Sequence, residues 1–251
     1  MTDHAGLIEI FTSIQGEGRY AGVKQLFIRF AGCNLACGFC DTPSSRVVPG
    51  MWAYEKAQGA GPAILLPNPA SATKLGRVVA ESTDGMEKTY HSVSITGGEP
   101  LLQADFLKEF LPVLKRRFPV HLETNGTLPK AMARVAGLVD FVSMDIKLPS
   151  VSGAGAFWKE HRDFLKVCSK VETAVKIVVS DRVDTLEVSK AAIMISGVSR
   201  NIPVFIQPAT SSDGRASELD TSTLLGIHDI CRKFLRNVRV LPQAHRFMSV
   251  K

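Results

Sequence analysis

Seven short runs of β-branched and aromatic residues recur along the chain, and segments with helical periodicity separate most of them. The runs are Gln25 to Phe30, Ser92 to Ile95, Val120 to Glu123, Phe141 to Met144, Ala174 to Val179, Pro203 to Ile206 and Val238 to Leu241, each read as a buried strand. Phe106, Leu107, Phe110, Leu111 and Leu114 lay one apolar stripe along a helix from about Asp105 to Arg117. Further helices are expected near Ala131 to Ala136, Ala156 to Ser169, Thr185 to Ile195 and Ser217 to Leu235. Such alternation implies a parallel sheet with right-handed crossovers. With 251 residues there is little room for eight full units, so the expected fold is α/β, a partial (β/α) barrel of about six parallel core strands in one domain.

One stretch breaks the rhythm. From Pro43 to His91 the spacing to the next strand is long and rich in proline and glycine, with a helix expected around Lys74 to Ser82. Residues 43–91 therefore read as an insertion, open to three roles: a cap over the site, a surface for a reductant, or no catalytic part.

Composition narrows the class. No apolar run approaches the roughly 20 residues of a membrane span, and Met1 to Ile10 lacks the basic-then-apolar pattern of a secretory signal, so a cytoplasmic protein is expected. The net charge is +6, but the basic residues are dispersed, with Lys115-Arg116-Arg117 the densest run. That pattern suits an anionic small substrate and solvated helix faces better than nucleic acid.

Five cysteines include three within eight residues, in Gly32-Cys33-Asn34-Leu35-Ala36-Cys37-Gly38-Phe39-Cys40, too clustered for a disulfide framework. The loop starts where the strand through Leu26, Ile28 and Phe30 ends, the end at which barrels place their chemistry. Gaps of three and two residues let a short loop curl around a cuboidal iron–sulfur cluster and supply three thiolates, leaving one iron without a protein ligand. Structural zinc normally wants four protein ligands, and no fourth Cys or His lies at conventional spacing. Cys168 and Cys231 fall among apolar neighbours and read as core residues.

The cysteine loop after the first barrel strand, with Thr96-Gly97-Gly98-Glu99-Pro100 after the second, resembles the radical S-adenosylmethionine superfamily. A narrower resemblance rests on an ordered set: Phe11 to Gly18 with Gly22, Cys40-Asp41-Thr42, Glu123-Thr124-Asn125-Gly126, Asp145-Ile146-Lys147, Gln207-Pro208 and Leu241 to Arg246. Together these look like the 7-carboxy-7-deazaguanine synthase family. The resemblance implies a carbon–nitrogen lyase of queuosine and 7-deazapurine biosynthesis that turns 6-carboxy-5,6,7,8-tetrahydropterin into 7-carboxy-7-deazaguanine with loss of ammonia. It implies a 4Fe-4S cluster on Cys33, Cys37 and Cys40, S-adenosylmethionine and magnesium. A 5′-deoxyadenosyl radical would remove the hydrogen at substrate C6, and the hydrogen would return after ring contraction. A homodimer and an external electron donor such as flavodoxin or ferredoxin are implied as well.

By the same resemblance, Gln15, Glu17, Arg29, Thr96 and His245 face the pterin, with Arg29 on the substrate carboxylate. Gly97, Gly98, Glu99, Thr124, Asn125, Asp145, Lys147 and Gln207 serve S-adenosylmethionine, and Thr42 with Asp41 serves magnesium. Each has an ordinary alternative: a polar turn at Gln15 to Gly18, a solvated strand face at Arg29, a surface His245, a tight turn at Gly97-Gly98, a capping or turn role for Asp41, and an Asp145–Lys147 salt bridge. The tail after His245 differs in detail from shorter relatives, which leaves any part for the terminal carboxylate of Lys251 open. Two other functions compete. A glycyl-radical-enzyme activating protein would share the cysteine loop and barrel but not Gln15 to Gly18 or the Pro242 to Arg246 ending, and a noncatalytic iron–sulfur or zinc module would leave Gly97 to Pro100 surplus.

Overall fold

The computed structural model describes residues 3–56, 62–210 and 219–251. Its strands are β1 (His4–Ala5), β2 (Leu7–Ile14), β3 (Lys24–Phe30), β4 (Met51–Tyr54), β5 (Ile64–Pro67), β6 (Ala70–Ser71), β7 (Ser92–Gly97), β8 (Val120–Thr124), β9 (Phe141–Ile146), β10 (Glu172–Val179), β11 (Val204–Pro208) and β12 (Val238–Val240). Its α-helices are α1 (Ala72–Thr83), α2 (Ala104–Lys115), α3 (Pro129–Val135), α4 (Pro149–Ser152), α5 (Trp158–Val167), α6 (Thr185–Ser196), α7 (Thr221–Phe234) and α8 (Ala244–Phe247).

Ten strands form one open sheet in the spatial order β12, β11, β10, β9, β8, β7, β3, β2, β4, β5. Every pairing from β3 through β7 to β12 is parallel, which makes seven parallel strands, and helical segments cross over between successive ones. The two edges, β12 and β5, do not pair with each other, so the barrel is partial. Among the described residues no helix is long and apolar enough to cross a membrane.

Period-two alternation along the parallel strands separates two environments. Val93, Ile95, Leu122, Val142, Met144, Val175 and Ile177 are buried toward the helices, where α2 contributes the expected stripe of Phe106, Leu107, Phe110, Leu111 and Leu114. Phe106 meets Phe30 edge-on at 6.0 Å and stacks on Phe110 at 5.7 Å. Cys168 and Cys231 lie in this core, as their apolar neighbours indicate.

The opposite face of the strands sets polar side chains among Phe27, Ala174, Val178 and Phe205. At the amino-terminal end, Gln25 is paired across the ladder with Ser92, and both are fully buried. Gln25 Nε2 donates to Ser92 Oγ at 2.7 Å and lies 3.2 Å from His121 Nδ1, while His121 Nε2 lies 2.8 Å from Ser143 Oγ. Below this layer Tyr20 packs against His91, His121 and Phe141, at 4.6, 5.6 and 4.8 Å between ring centroids. The barrel has a floor.

Two regions differ from expectation. The strand β2 escapes a search for short apolar runs because its Glu9, Thr12 and Ser13 alternate with apolar residues, and it runs antiparallel to β3. Within residues 43–91, β4 joins β2 in parallel, β5 returns beside β4, and α1 follows with Ser71 Oγ accepting from Lys74 N at its start. Trp52 and Tyr54 of β4 and Leu75, Val78 and Val79 of α1 enter the core, so the described part of the insertion widens the sheet. The expected helix start at Ser217 lies outside the described residues.

Phe106→Ala should destabilise the fold by about 3–5 kcal/mol in equilibrium denaturation, because it removes a fully buried ring between two aromatic neighbours.

Candidate active site

The carboxyl ends of β3 and β7 to β11 open on a cavity of about 530 Å³, lined also by Glu9, Phe11 and the chain's last residues. Cys33, Cys37, Cys40, Asp41, Thr42, Gln15, Glu17, Arg29, Thr96, Gly97, Gly98, Thr124, Asn125, Asp145, Lys147, Gln207 and His245 all line it. Of the residues singled out from sequence, Glu99 alone does not.

The cluster loop is positioned by a backbone contact. Gly98 N donates to Phe30 O at 3.1 Å and Glu99 N to Gly32 O at 2.8 Å, so the end of β7 is stitched to the start of the cysteine loop. Gly97 sits at φ +144°, where a Cβ would lie 2.1 Å from Phe30 O; at Gly98 a Cβ would lie 2.2 Å from Gly32 O. The glycine pair thus admits the chain's own backbone. The three cysteines are free and half-buried, and burial raises the thiols of Cys33 and Cys37. Leu35 N lies 3.4 Å from Cys33 Sγ, a donor suited to a thiolate. Among the described residues no three His, Cys, Asp or Glu side chains converge closely enough to hold a single metal ion. Three thiols around one cavity suit the separate corners of a cuboidal cluster.

Glu99 is a buried bracket. Its Oε1 accepts from Leu101 N at 3.0 Å and Thr124 Oγ1 at 2.9 Å, and its Oε2 accepts from Asn125 N at 2.8 Å. Burial pushes its carboxyl up to about 7 despite these donors. Asn125 in turn donates to Asn34 Oδ1 of the cluster loop at 3.0 Å, and its own carbonyl lies 3.0 Å from His161 Nε2. The loops after β3, β7 and β8 are therefore one hydrogen-bonded unit.

Glu17 is a second hub. Its Oε2 accepts from Lys176 Nζ at 2.5 Å, and its Oε1 accepts from Gln207 Nε2 at 3.1 Å and Gln243 Nε2 at 2.7 Å. Burial raises its carboxyl, but Lys176, the Gln243 amide and His245 outweigh burial and hold it at about 2. Gln15 spends both amide protons inside, on Gln25 Oε1 at 2.9 Å and Glu123 Oε1 at 2.7 Å. Glu123 also accepts from Ser94 Oγ and Thr96 Oγ1, at 2.8 and 2.9 Å. With about four lone-pair positions per carboxylate, three donors leave Glu17 and Glu123 one acceptor position each. Arg29 Nε donates to Glu9 at 3.0 Å, and the Phe11 and Phe27 rings stack at 5.0 Å beside it.

The Asp145–Lys147 pair forms, at 2.7 Å, and Lys176 reaches the same Asp145 oxygen at 3.3 Å. Among the described residues Asp145 Oδ1 is buried and has no hydrogen-bond partner. Asp41 is engaged by the last segment: Arg246 Nη2 donates to Oδ1 at 2.7 Å and Gln243 Nε2 to Oδ2 at 2.9 Å. His245 seats on Gly16, where a Cβ would lie 2.1 Å from its Nδ1. Ser13 Oγ donates to Lys251 O at 2.8 Å, and Lys251 Nζ pairs with Glu55 at 2.5 Å and Glu9 at 3.3 Å.

Sequence reasoning assigned no role to Glu123, Lys176, Gln243 or Arg246, although all four line the cavity. Lys176 carried a usable signal, a lone charge within the otherwise apolar strand run Ala174 to Val179. Glu123 shares the cavity-facing alternation of Asp145 and Lys147.

Gly98→Ala should abolish iron and sulfide incorporation on anaerobic reconstitution, whereas Gly50→Ala, with nothing within 4 Å of the added methyl, should load normally. Because Glu17 titrates below its ordinary 4.5, its stabilising contribution is complete above about pH 4.5 and is lost as pH falls through about 2. Glu17→Gln should therefore flatten the acid limb of a stability-versus-pH curve across that window.

The Radical SAM superfamily model matches residues 27–192. A 7-carboxy-7-deazaguanine synthase from Geobacter sulfurreducens is 40% identical over 98% of this chain and 97% of its own length. Another from Methanopyrus kandleri is 35% identical over 99% and 95%. The crystal structure of QueE from Escherichia coli superposes with a TM-score of 0.60 at 20% identity, covering 96% of this chain and 95% of that one, a likeness of fold. The chain belongs to the 7-carboxy-7-deazaguanine synthase family of the radical SAM superfamily.

Proposed function

We propose that this chain converts 6-carboxy-5,6,7,8-tetrahydropterin to 7-carboxy-7-deazaguanine with loss of ammonia, using a 4Fe-4S cluster, S-adenosylmethionine and magnesium. One observation carries the reading: three free thiols and a set of unspent carboxylate acceptors open into the same cavity.

When bound, the cluster and S-adenosylmethionine supply hydrogen abstraction at substrate C6 and its return. Cys33, Cys37 and Cys40 hold the cluster, and Asp145, at the end of β9 in the cavity wall, faces the cofactor. Thr124 and Asn125 stand at the end of β8, fixed by Glu99, while Lys147 and Gln207 stand at the ends of β9 and β11.

The amino-pyrimidine edge of a pterin is rich in N–H donors and needs acceptors. Glu17 and Glu123 provide them, with Gln15 holding Glu123 in place through its amide. Arg29 and His245 supply the donors that the substrate carboxylate requires, Thr96 lies on the same wall, and the Phe11–Phe27 stack offers an apolar surface to the ring. Magnesium keeps several waters and takes few protein oxygens, so Thr42 and Asp41 at the cavity edge, completed by substrate oxygens, suit it. The reading also brings an external reductant such as a flavodoxin or ferredoxin, a homodimeric assembly, one domain over residues 1–251 and a cytoplasmic setting. Among the described residues, none from 43–91 lines the cavity, which favours an architectural part for that insertion over a cap.

Reconstituted protein supplied with the carboxytetrahydropterin, S-adenosylmethionine, magnesium and dithionite should yield the deazaguanine by mass spectrometry. Release of 5′-deoxyadenosine without that product would keep the radical chemistry and overturn the substrate. Cys33→Ala, Cys37→Ala and Cys40→Ala should each abolish turnover.

A further inference from the structure

We infer that Lys176 is a positioning residue that sets the pterin-side and cofactor-side carboxylates of the cavity together, by holding Glu17 and Asp145 on one ammonium group. The inference rests on the roles proposed above for Glu17 and Asp145.

Lys176 lies midway along β10, directly opposite Asp145 in the parallel ladder with β9. Its side chain retains 19% exposure, with Glu17 at 20% and Asp145 at 14%, and all three line the cavity. Nζ is 2.5 Å from Glu17 Oε2 and 3.3 Å from Asp145 Oδ2. Glu17 belongs to the loop after β2 and Asp145 to the end of β9, so one cation joins two walls that share no backbone pairing. Burial works against charge on Lys176, and Asp145 and Glu17 outweigh it, so the residue stays an ammonium.

The two carboxylates depend on this ammonium unequally. Asp145 Oδ2 also receives Lys147 at 2.7 Å and keeps a cation without Lys176. Glu17 would keep only the neutral amides of Gln207 and Gln243 as hydrogen-bond donors among the described side chains. Because Oδ2 of Asp145 takes both lysines, Oδ1 has no hydrogen-bond partner among the described residues, and that asymmetry of the carboxylate is set in part by Lys176. Lys176 therefore couples the orientation of the group that reads the pterin to that of the group that receives the cofactor.

Binding of S-adenosylmethionine and of the carboxytetrahydropterin to cluster-reconstituted protein, followed by calorimetry, tests this alongside kcat, KM and melting temperature. In Lys176→Met the pterin affinity should fall about 100-fold, in the range for removing one partner of a hydrogen-bonded charge pair, and the S-adenosylmethionine affinity about 10-fold, less because Asp145 keeps Lys147. Glu17→Gln alone should weaken the pterin, and Lys176→Met with Glu17→Gln should weaken it no further than Lys176→Met alone, since both changes break the same pair. Additive losses, or wild-type affinity for both molecules in Lys176→Met, would overturn the inference; so would a fall in melting temperature with affinities unchanged in the folded fraction. Should Lys176→Met fail to fold, the charge-balanced double variant decides on its cofactor arm, which Glu17→Gln alone leaves at wild-type affinity: S-adenosylmethionine affinity about 10-fold below wild type in a folded protein supports the inference, and wild-type S-adenosylmethionine affinity overturns it. If wild-type protein binds S-adenosylmethionine but makes no deazaguanine, the substrate reading fails separately, and the S-adenosylmethionine arm still tests Lys176.

Discussion

The architecture of the site depends on one close backbone approach, where the end of β7 runs against the start of the cysteine loop through Gly97 and Gly98. Any side chain at either position would collide with the carbonyls of Phe30 or Gly32. Because Glu99 follows at once and is drawn under Thr124 and Asn125, the same contact carries the end of β8 into register with the thiols. Asn34 and Asn125 close the ring of contacts from above. A loop whose cysteines must sit at three corners of one object needs such bracing, since a loop on its own would sample many arrangements.

The interior this frame encloses sets a dense polar network beside the Phe11–Phe27 stack. A side chain such as Gln15, with both amide protons bonded inside, has lost its freedom to rearrange around a ligand and serves instead to aim Glu123. Buried polar networks are costly when half satisfied, and here the carboxylates of Glu17, Glu123 and Asp145 are held by several donors each, which fixes their orientation before anything binds.

Much of the barrel was legible because seven strand runs carry their burial on their face. Alternation could not reveal β2 through the same filter, since Glu9, Thr12 and Ser13 interrupt its apolar residues, and β4 and the edge strand β5 are short and embedded in proline-rich chain. At the site, Cys33, Cys37 and Cys40 announce themselves by spacing alone. Glu99 could be found by motif, but its buried attachment to Thr124 and Asn125 could not, because those partners lie 25 and 26 residues on and are set by strand register. The Glu17 hub is beyond sequence altogether: its ties to Lys176, Gln207 and Gln243 span separations of up to 226 residues.

The layer of Gln25, Ser92 and His121 beneath the cavity, backed by the Tyr20 ring, gives the barrel a dead end. Whatever enters from the carboxyl ends of the strands stops against this layer, so the protein's own side chains, and not the length of the ligand, set how deep it can go.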